Sequence, residues 1–168
     1  ASAYFSINQK INQKHVLKYG FNVDANYFNM RDSIRYNIAD STSAFLYRWD
    51  YQSTTPALLA QVFVQWKYKI GEKTTLNAGL HSQYFSFSNS LSPVEPRVGL
   101  KHEINEKHTL ALAGGMHSQT HPLYIYTYHQ YDQTGAKILH NKNIDFLKSV
   151  HSVLSYTLNL KGSLQLKS

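Results

Sequence analysis

The chain of 168 residues contains no cysteine, which removes a disulfide frame, a thiolate metal site and a cysteine nucleophile together. An oxidising envelope would do it no harm. It also has no run of about 18 apolar residues, so a membrane-spanning helix is excluded while membrane-crossing strands are not. Carboxylates are few, ten Asp and Glu in all. No nucleophile elbow, glycine-rich phosphate loop or serine with a paired base accompanies them, so neither catalysis nor a cofactor is expected. The excess of Lys and Arg gives a net charge of +7. These cations are dispersed one per turn or along strand faces instead of forming a run or a helical stripe, which speaks against nucleic acid. In a lumen or at an outer rim they would attract anionic solutes or lipid phosphates.

What the chain does have is repetition. Ile11-Asn12-Gln13-Lys14-His15, Ile70-Gly71-Glu72-Lys73-Thr74 and Ile104-Asn105-Glu106-Lys107-His108 write one motif three times: Ile, a turn former, a polar residue, Lys, then a new strand. Before the second copy Leu58, Ala60, Val62, Val64, Trp66, Tyr68 and Ile70 take every other position. Gln61, Gln65, Lys67 and Lys69 fill most of the alternate ones, which describes a strand with two chemically different faces. The pattern predicts strands over about 3–10, 15–29, 57–70, 74–88, 96–104, 108–120 and 148–158, with a stub of an eighth after a fourth turn near Asn159 to Gly162. Tight turns alternate with long connections at 30–56 and 121–147. Short turns at one end and long loops at the other characterise an outer-membrane β-barrel.

The faces agree with that. Leu58, Val62, Val64, Leu80, Val98, Leu100, Leu110 and Leu112 are expected to point to lipid, and Gln61, Gln65, Lys67, His81, Arg97, Lys101 and His117 to the lumen. Alternation by itself also suits a soluble two-sheet sandwich. Strands of about 12–15 residues exceed the usual globular length of about 5–6 and cross a bilayer that needs about 9–11 tilted residues. Thirteen Tyr and eight Phe gather toward strand ends, Trp66 and Tyr68 near a turn and Tyr84, Phe85 and Phe87 near a loop, as interfacial girdles require. An open sheet cannot sit in lipid with unpaired edges, so the whole chain is expected to be part of one barrel domain with further strands on each side.

The run Ser92-Pro93-Val94-Glu95-Pro96-Arg97-Val98-Gly99-Leu100-Lys101, continued through Ile104 to Leu110, His117-Ser118-Gln119 and Pro122 to Tyr126, resembles the barrel of TonB-dependent outer-membrane transporters of the Bacteroidetes type. Asn141 to Phe146 followed by Lys148-Ser149 is similar to the same family. The likeness is sharpest over 90–155. It implies an all-β, antiparallel, up-and-down transmembrane barrel of about 22 strands, of which this chain supplies about seven to eight, closed by a plug domain that is not in this chain. It implies a receptor in the bacterial outer membrane, crossing it many times, that imports a large or scarce nutrient (a glycan, a peptide or a metal chelate). Its partners would be membrane lipid, the TonB complex acting through the absent N-terminal part, and a surface lipoprotein. A passive pore, an assembly or adhesion barrel, and a soluble β-sandwich binding module are the alternatives.

The long loops are the expected ligand-contacting regions, with Tyr36, Phe45, Tyr47, Trp49 and Tyr51 in one and Tyr124, Tyr126, Tyr128 and Tyr131 in the other. In an extended loop Tyr124, Tyr126 and Tyr128 would stack along one side against sugar or peptide, or else lie in an outward hairpin that prolongs the flanking strands. His117 and His121 have helical ligand spacing, but on a strand they stand about 13 Å apart, too far for one ion. His81 and His117 are expected about 10 Å apart by sheet spacing. Glu95 and Arg97 share a strand face and are expected to pair.

Overall fold

The computed structural model describes the backbone of residues 1–37, 43–159 and 165–167, and side chains outside 33–50 and 160–168. Within these lie strands β1 (Ser2–Lys10), β2 (His15–Asn26), β3 (Asn29–Asn37), β4 (Ser43–Gln52), β5 (Ala57–Ile70), β6 (Thr74–Phe85), β7 (Ser90–Leu91), β8 (Glu95–Glu103), β9 (His108–Gln119), β10 (Gln130–Tyr131), β11 (Lys137–Ile138), β12 (Leu147–Asn159) and β13 (Gln165–Lys167), and one helix, α1 (Leu123–Thr127). The chain is all-β and every strand pair is antiparallel. One sheet runs in the order β1-β2-β5-β6-β8-β9-β12-β13, with β7 beside the loop end of β6. Its two outermost strands are not paired with each other, so the sheet is open.

The tight turns fold as their sequences demand. Asn12 Oδ1 accepts hydrogen bonds from the backbone N–H of Lys14 and His15 at 2.8 and 2.9 Å. Asn105 Oδ1 accepts from Lys107 and His108, both at 3.0 Å. An Asn side chain satisfies its own turn in this way. The middle copy replaces Asn with Gly71, whose φ of +70° lies where glycine alone sits without penalty. In all three turns the Lys carbonyl then reaches beyond its own hairpin: Lys14 O accepts from Lys69 N, Lys73 O from Glu103 N and Lys107 O from Asn159 N, each at 2.8 Å. Asn105→Ala is expected to lower stability by about 1 kcal/mol, and Gly71→Ala by about 1–2 kcal/mol through the forced left-handed backbone. Denaturant unfolding measures both, and an unchanged midpoint in Asn105→Ala would show that the ladder alone holds the turn.

Two connections differ from the sequence expectation. Strand β2 stops at Asn26, and 30–56 is not an irregular loop: β3 and β4 form a separate two-stranded hairpin. The register passes from Asp32–Trp49 to Ser33–Tyr47 and skips Arg48, so the alternation of β4 changes phase there and escapes a period-two reading. In 121–147 the chain makes neither an extended stripe nor a hairpin continuing β9 and β12. Pro122 opens helix α1, and a small two-stranded ribbon, β10 and β11, follows. The turn near Asn159 to Gly162 lies largely outside the described residues.

Candidate functional site: a sheet with two unlike faces

Register assigns every residue of the seven long strands to a face. On one face of β1, β2, β5, β6, β8, β9 and β12 the only Lys, Arg, Asp or Glu is Lys148 at the loop end. The other nine formal charges of these strands, Lys10, Lys18, Asp24, Lys67, Lys69, Glu95, Arg97, Lys101 and Glu103, all occupy the opposite face. Leu58, Val62, Val64, Leu80, Val98, Leu100, Leu110 and Leu112 share the uncharged face, and every one of them is exposed. Gln61, Gln65, Lys67, His81, Arg97, Lys101 and His117 share the charged one. Among the described residues no second layer covers the apolar side. The buried apolar residues among those described, Ala57, Phe85, Tyr126 and Phe146, sit together at the loop end instead of beneath the sheet.

The apolar face is banded. From β5 to β12 its middle is aliphatic and contains a groove of about 710 Å³ between Val64, Leu80, Val98, Met116 and Val150, floored by Ala78 and Gly114, while on β1 and β2 the rings of Phe5, Tyr19 and Phe21 stand across the middle. Toward the turns stands an amphipathic aromatic belt. His15 stacks on Tyr68 at 4.5 Å, Trp66 on Tyr68 at 5.4 Å, and Trp66 Nε1 donates to His15 Nδ1 at 3.2 Å. Farther along the same edge the His108 ring hydrogen-bonds the Tyr156 hydroxyl. Such rings place an apolar body and a polar tip at a boundary between oil and water.

On the charged face the polar side chains join across strands. Asn22 Nδ2 donates to Asp24 Oδ2 at 2.7 Å and to Gln61 Oε1 at 3.1 Å; Gln61 Nε2 donates to Gln83 Oε1 at 3.2 Å, and Gln83 Nε2 to Glu95 Oε1 at 3.3 Å. Glu95 is fully buried. Its Oε2 accepts from His81 Nδ1 and from Arg97 Nη2, both at 3.0 Å, while Arg97 Nη2 also donates to His117 Nδ1 at 3.0 Å. The expected Glu95–Arg97 pair is therefore present. His81 and His117 stand on strands separated by β8, as expected, and their side chains turn toward one carboxylate oxygen of that strand, at 3.0 and 3.7 Å. Gly115 makes this possible: a Cβ there would lie 3.0 Å from Arg97 Cγ and 3.1 Å from Pro96 O. Among the described residues no group of three ligating side chains has the geometry of a metal site.

The loop-end cluster redistributes the aromatics expected to contact ligand. Phe28 stacks with Tyr51 at 5.3 Å, Phe87 meets both edge-on at 5.6 Å, and Phe85 packs on Tyr126 at 5.3 Å. Helix α1 turns Tyr126 inward to 1% exposure and leaves Tyr124 exposed, so Tyr124, Tyr126 and Tyr128 do not line one side. Thr127 Oγ1 caps this turn on the carbonyls of Leu123 and Tyr124, both at 3.3 Å, and Tyr126 Oη accepts from His121 N at 3.1 Å. Burial pushes the Tyr126 phenol above its ordinary range. The side chains of Tyr47 and Trp49, on β4, lie outside the described residues. Comparison of the chain with protein-family models, with curated proteins and with solved structures finds no match.

Proposed function

We propose that this sheet is a stretch of the wall of an outer-membrane β-barrel, its uncharged face against lipid and its charged face toward a water-filled lumen, in a TonB-dependent transporter that imports a nutrient. One observation carries the membrane part: seven adjoining strands confine nine of ten formal charges to one face and leave the other apolar, with an aromatic belt toward the turns. In water such a face is an aggregation surface; in hydrocarbon it is the required exterior of a barrel, flanked by an aromatic girdle. A membrane also explains why the sheet lacks a second layer, because lipid takes the place that a core would fill. Open edges cannot persist in lipid, so other strands must complete the ring. The buried amide and carboxylate network braces the lumen side against the curvature of the wall.

Transport rests on the family resemblance and on the sorting of tight turns to one end and long segments, 27–56 and 120–146, to the other, where a rigid wall holds loops that select ligand. The test uses the full-length protein. It is expected to partition with outer membranes and to require detergent for extraction, to carry a plug domain before the barrel, and to lose uptake of its nutrient when residues 123–140 are deleted. Absence of a plug from the full gene product would leave a passive pore, and a monomer folded in buffer without detergent would exclude the barrel.

A further inference from the structure

The lysines of the charged face are unevenly served. Lys101 Nζ donates to Glu103 Oε1 at 2.8 Å and Lys148, on the other face, lies 3.5 Å from Asp145, but Lys10, Lys18, Lys67 and Lys69 have no carboxylate partner among the described residues. They are neighbours. Lys10 and Lys67 flank Val16 from its two sides, Lys18 stands opposite Gln65, and Lys69 is two residues beyond Lys67 on the same face. The single acid on this face of β1, β2 and β5 is Asp24. It is six residues from Lys18, about 20 Å away along the strand, and is engaged by Asn22.

Beside them the face is hollowed into a cavity of about 760 Å³, within the range of about 300–1,000 Å³ that accepts small ligands. Gly79 and Gly99 keep its floor low, Lys18 and Lys67 stand on one wall, and Asn8, Gln65 and Asn77 add amides. Tyr4 and Phe63 stack at 6.3 Å with planes 9° apart, and Lys18 Nζ sits 5.8 Å from the Phe63 ring centre, so this ammonium is held in place instead of swinging free. Four like charges on one patch repel one another, and an anion entering the cavity relieves that repulsion. We propose that this patch is a binding site for a small multivalent anion carrying carboxylate or phosphate groups, with Lys18 and Lys67 as its principal contacts and Lys10 and Lys69 adding attraction at the margin. Hydrogen bonds from Asn8, Gln65 and Asn77 would orient the anion's remaining oxygens.

The inference rests on the charged face being wetted, as the barrel reading has it, and the experiment separates the two. Single cysteines at Gln65 and Val64 of the full-length protein are treated with a water-soluble thiol reagent in intact membranes. Failure to label Gln65 sinks the barrel reading. With Gln65 labelled and Val64 spared, calorimetric titration in zwitterionic detergent compares citrate, pyrophosphate, acetate and an oligoglutamate peptide. Citrate or pyrophosphate is expected to bind more tightly than acetate and to weaken with added salt. Affinity is expected to fall at least about tenfold in K18Q/K67Q, a loss of about 1.4 kcal/mol, and to stay unchanged in K107Q. Preference for citrate marks a carboxylate ligand and preference for pyrophosphate a phosphoryl one. No binding, or binding indifferent to K18Q/K67Q, overturns the proposal, as does tight binding of the peptide alone, which would make the patch the seat of an acidic polypeptide.

Discussion

Arg97→Met is expected to destabilise the folded protein by about 3 kcal/mol, although Arg97 itself is 43% exposed at its side chain. The cost falls on its partner. Glu95 has no solvent access, and removing the guanidinium leaves a buried carboxylate held only by hydrogen bonds from His81 and Gln83. Uncompensated buried charge is what makes breaking such a pair expensive, whereas replacing both members by apolar residues of similar size is often nearly neutral. Glu95→Leu/Arg97→Met is therefore expected to recover much of the loss that Arg97→Met alone produces, a non-additivity of the kind contacting residues show. Denaturant unfolding of the purified protein measures all three variants. If Arg97→Met shifts stability by less than about 0.5 kcal/mol, as surface substitutions typically do, Glu95 does not depend on Arg97.

Val62→Arg and Leu112→Arg form the second large expectation, a loss of about 2–4 kcal/mol each, against a smaller loss for Gln61→Arg, which gives up only the amide hydrogen bonds to Asn22 and Gln83. Val62 is 57% and Leu112 56% exposed in the isolated sheet. If water touched that face, an arginine there would be harmless or helpful, and the sign of the effect would reverse. Val62 and Gln61 are adjacent on one strand and point to opposite faces, and each variant introduces the same arginine, so a large difference between them reports what lies outside each face. Equal effects at the two positions would mean that neither face meets hydrocarbon.

The strand plan was largely legible because its signals are local. The expected strand at 57–70 is Ala57–Ile70, and that at 108–120 is His108–Gln119. Side-chain alternation and turn formers such as Asn12, Gly71 and Asn105 act within a few residues. The hairpin of β3 and β4 was hidden where the extra residue of β4 between Tyr47 and Trp49 reverses the phase of the pattern. Around Tyr126 the alternating tyrosines imitate a strand, yet Pro122 before them and the Thr127 back-bond behind them are the signals that favour a helical turn. The Glu95–Arg97 pair was legible from spacing along one strand, but the turning of His81 and His117 onto the same carboxylate was not. That turning depends on the register of three strands and on the missing side chain of Gly115, none of which is visible from spacing along one strand.

The carbonyl that each Lys of the three turns offers to the next hairpin gives the sheet a direction of growth. Every long strand of the main sheet pairs with its nearest predecessor in that sheet, the β3–β4 excursion aside, so no strand waits for a distant partner. Pairs joined by a tight turn close at little cost, and β2–β5 and β9–β12 close across the longer segments 27–56 and 120–146, where the closure cost rises only slowly with length. A finished hairpin presents Lys14 O, Lys73 O or Lys107 O, together with its outer ladder, as a ready template. Damage is correspondingly polar: a strand that fails to pair exposes its predecessor's edge and strands everything after it, whereas the hairpins already laid down keep their partners.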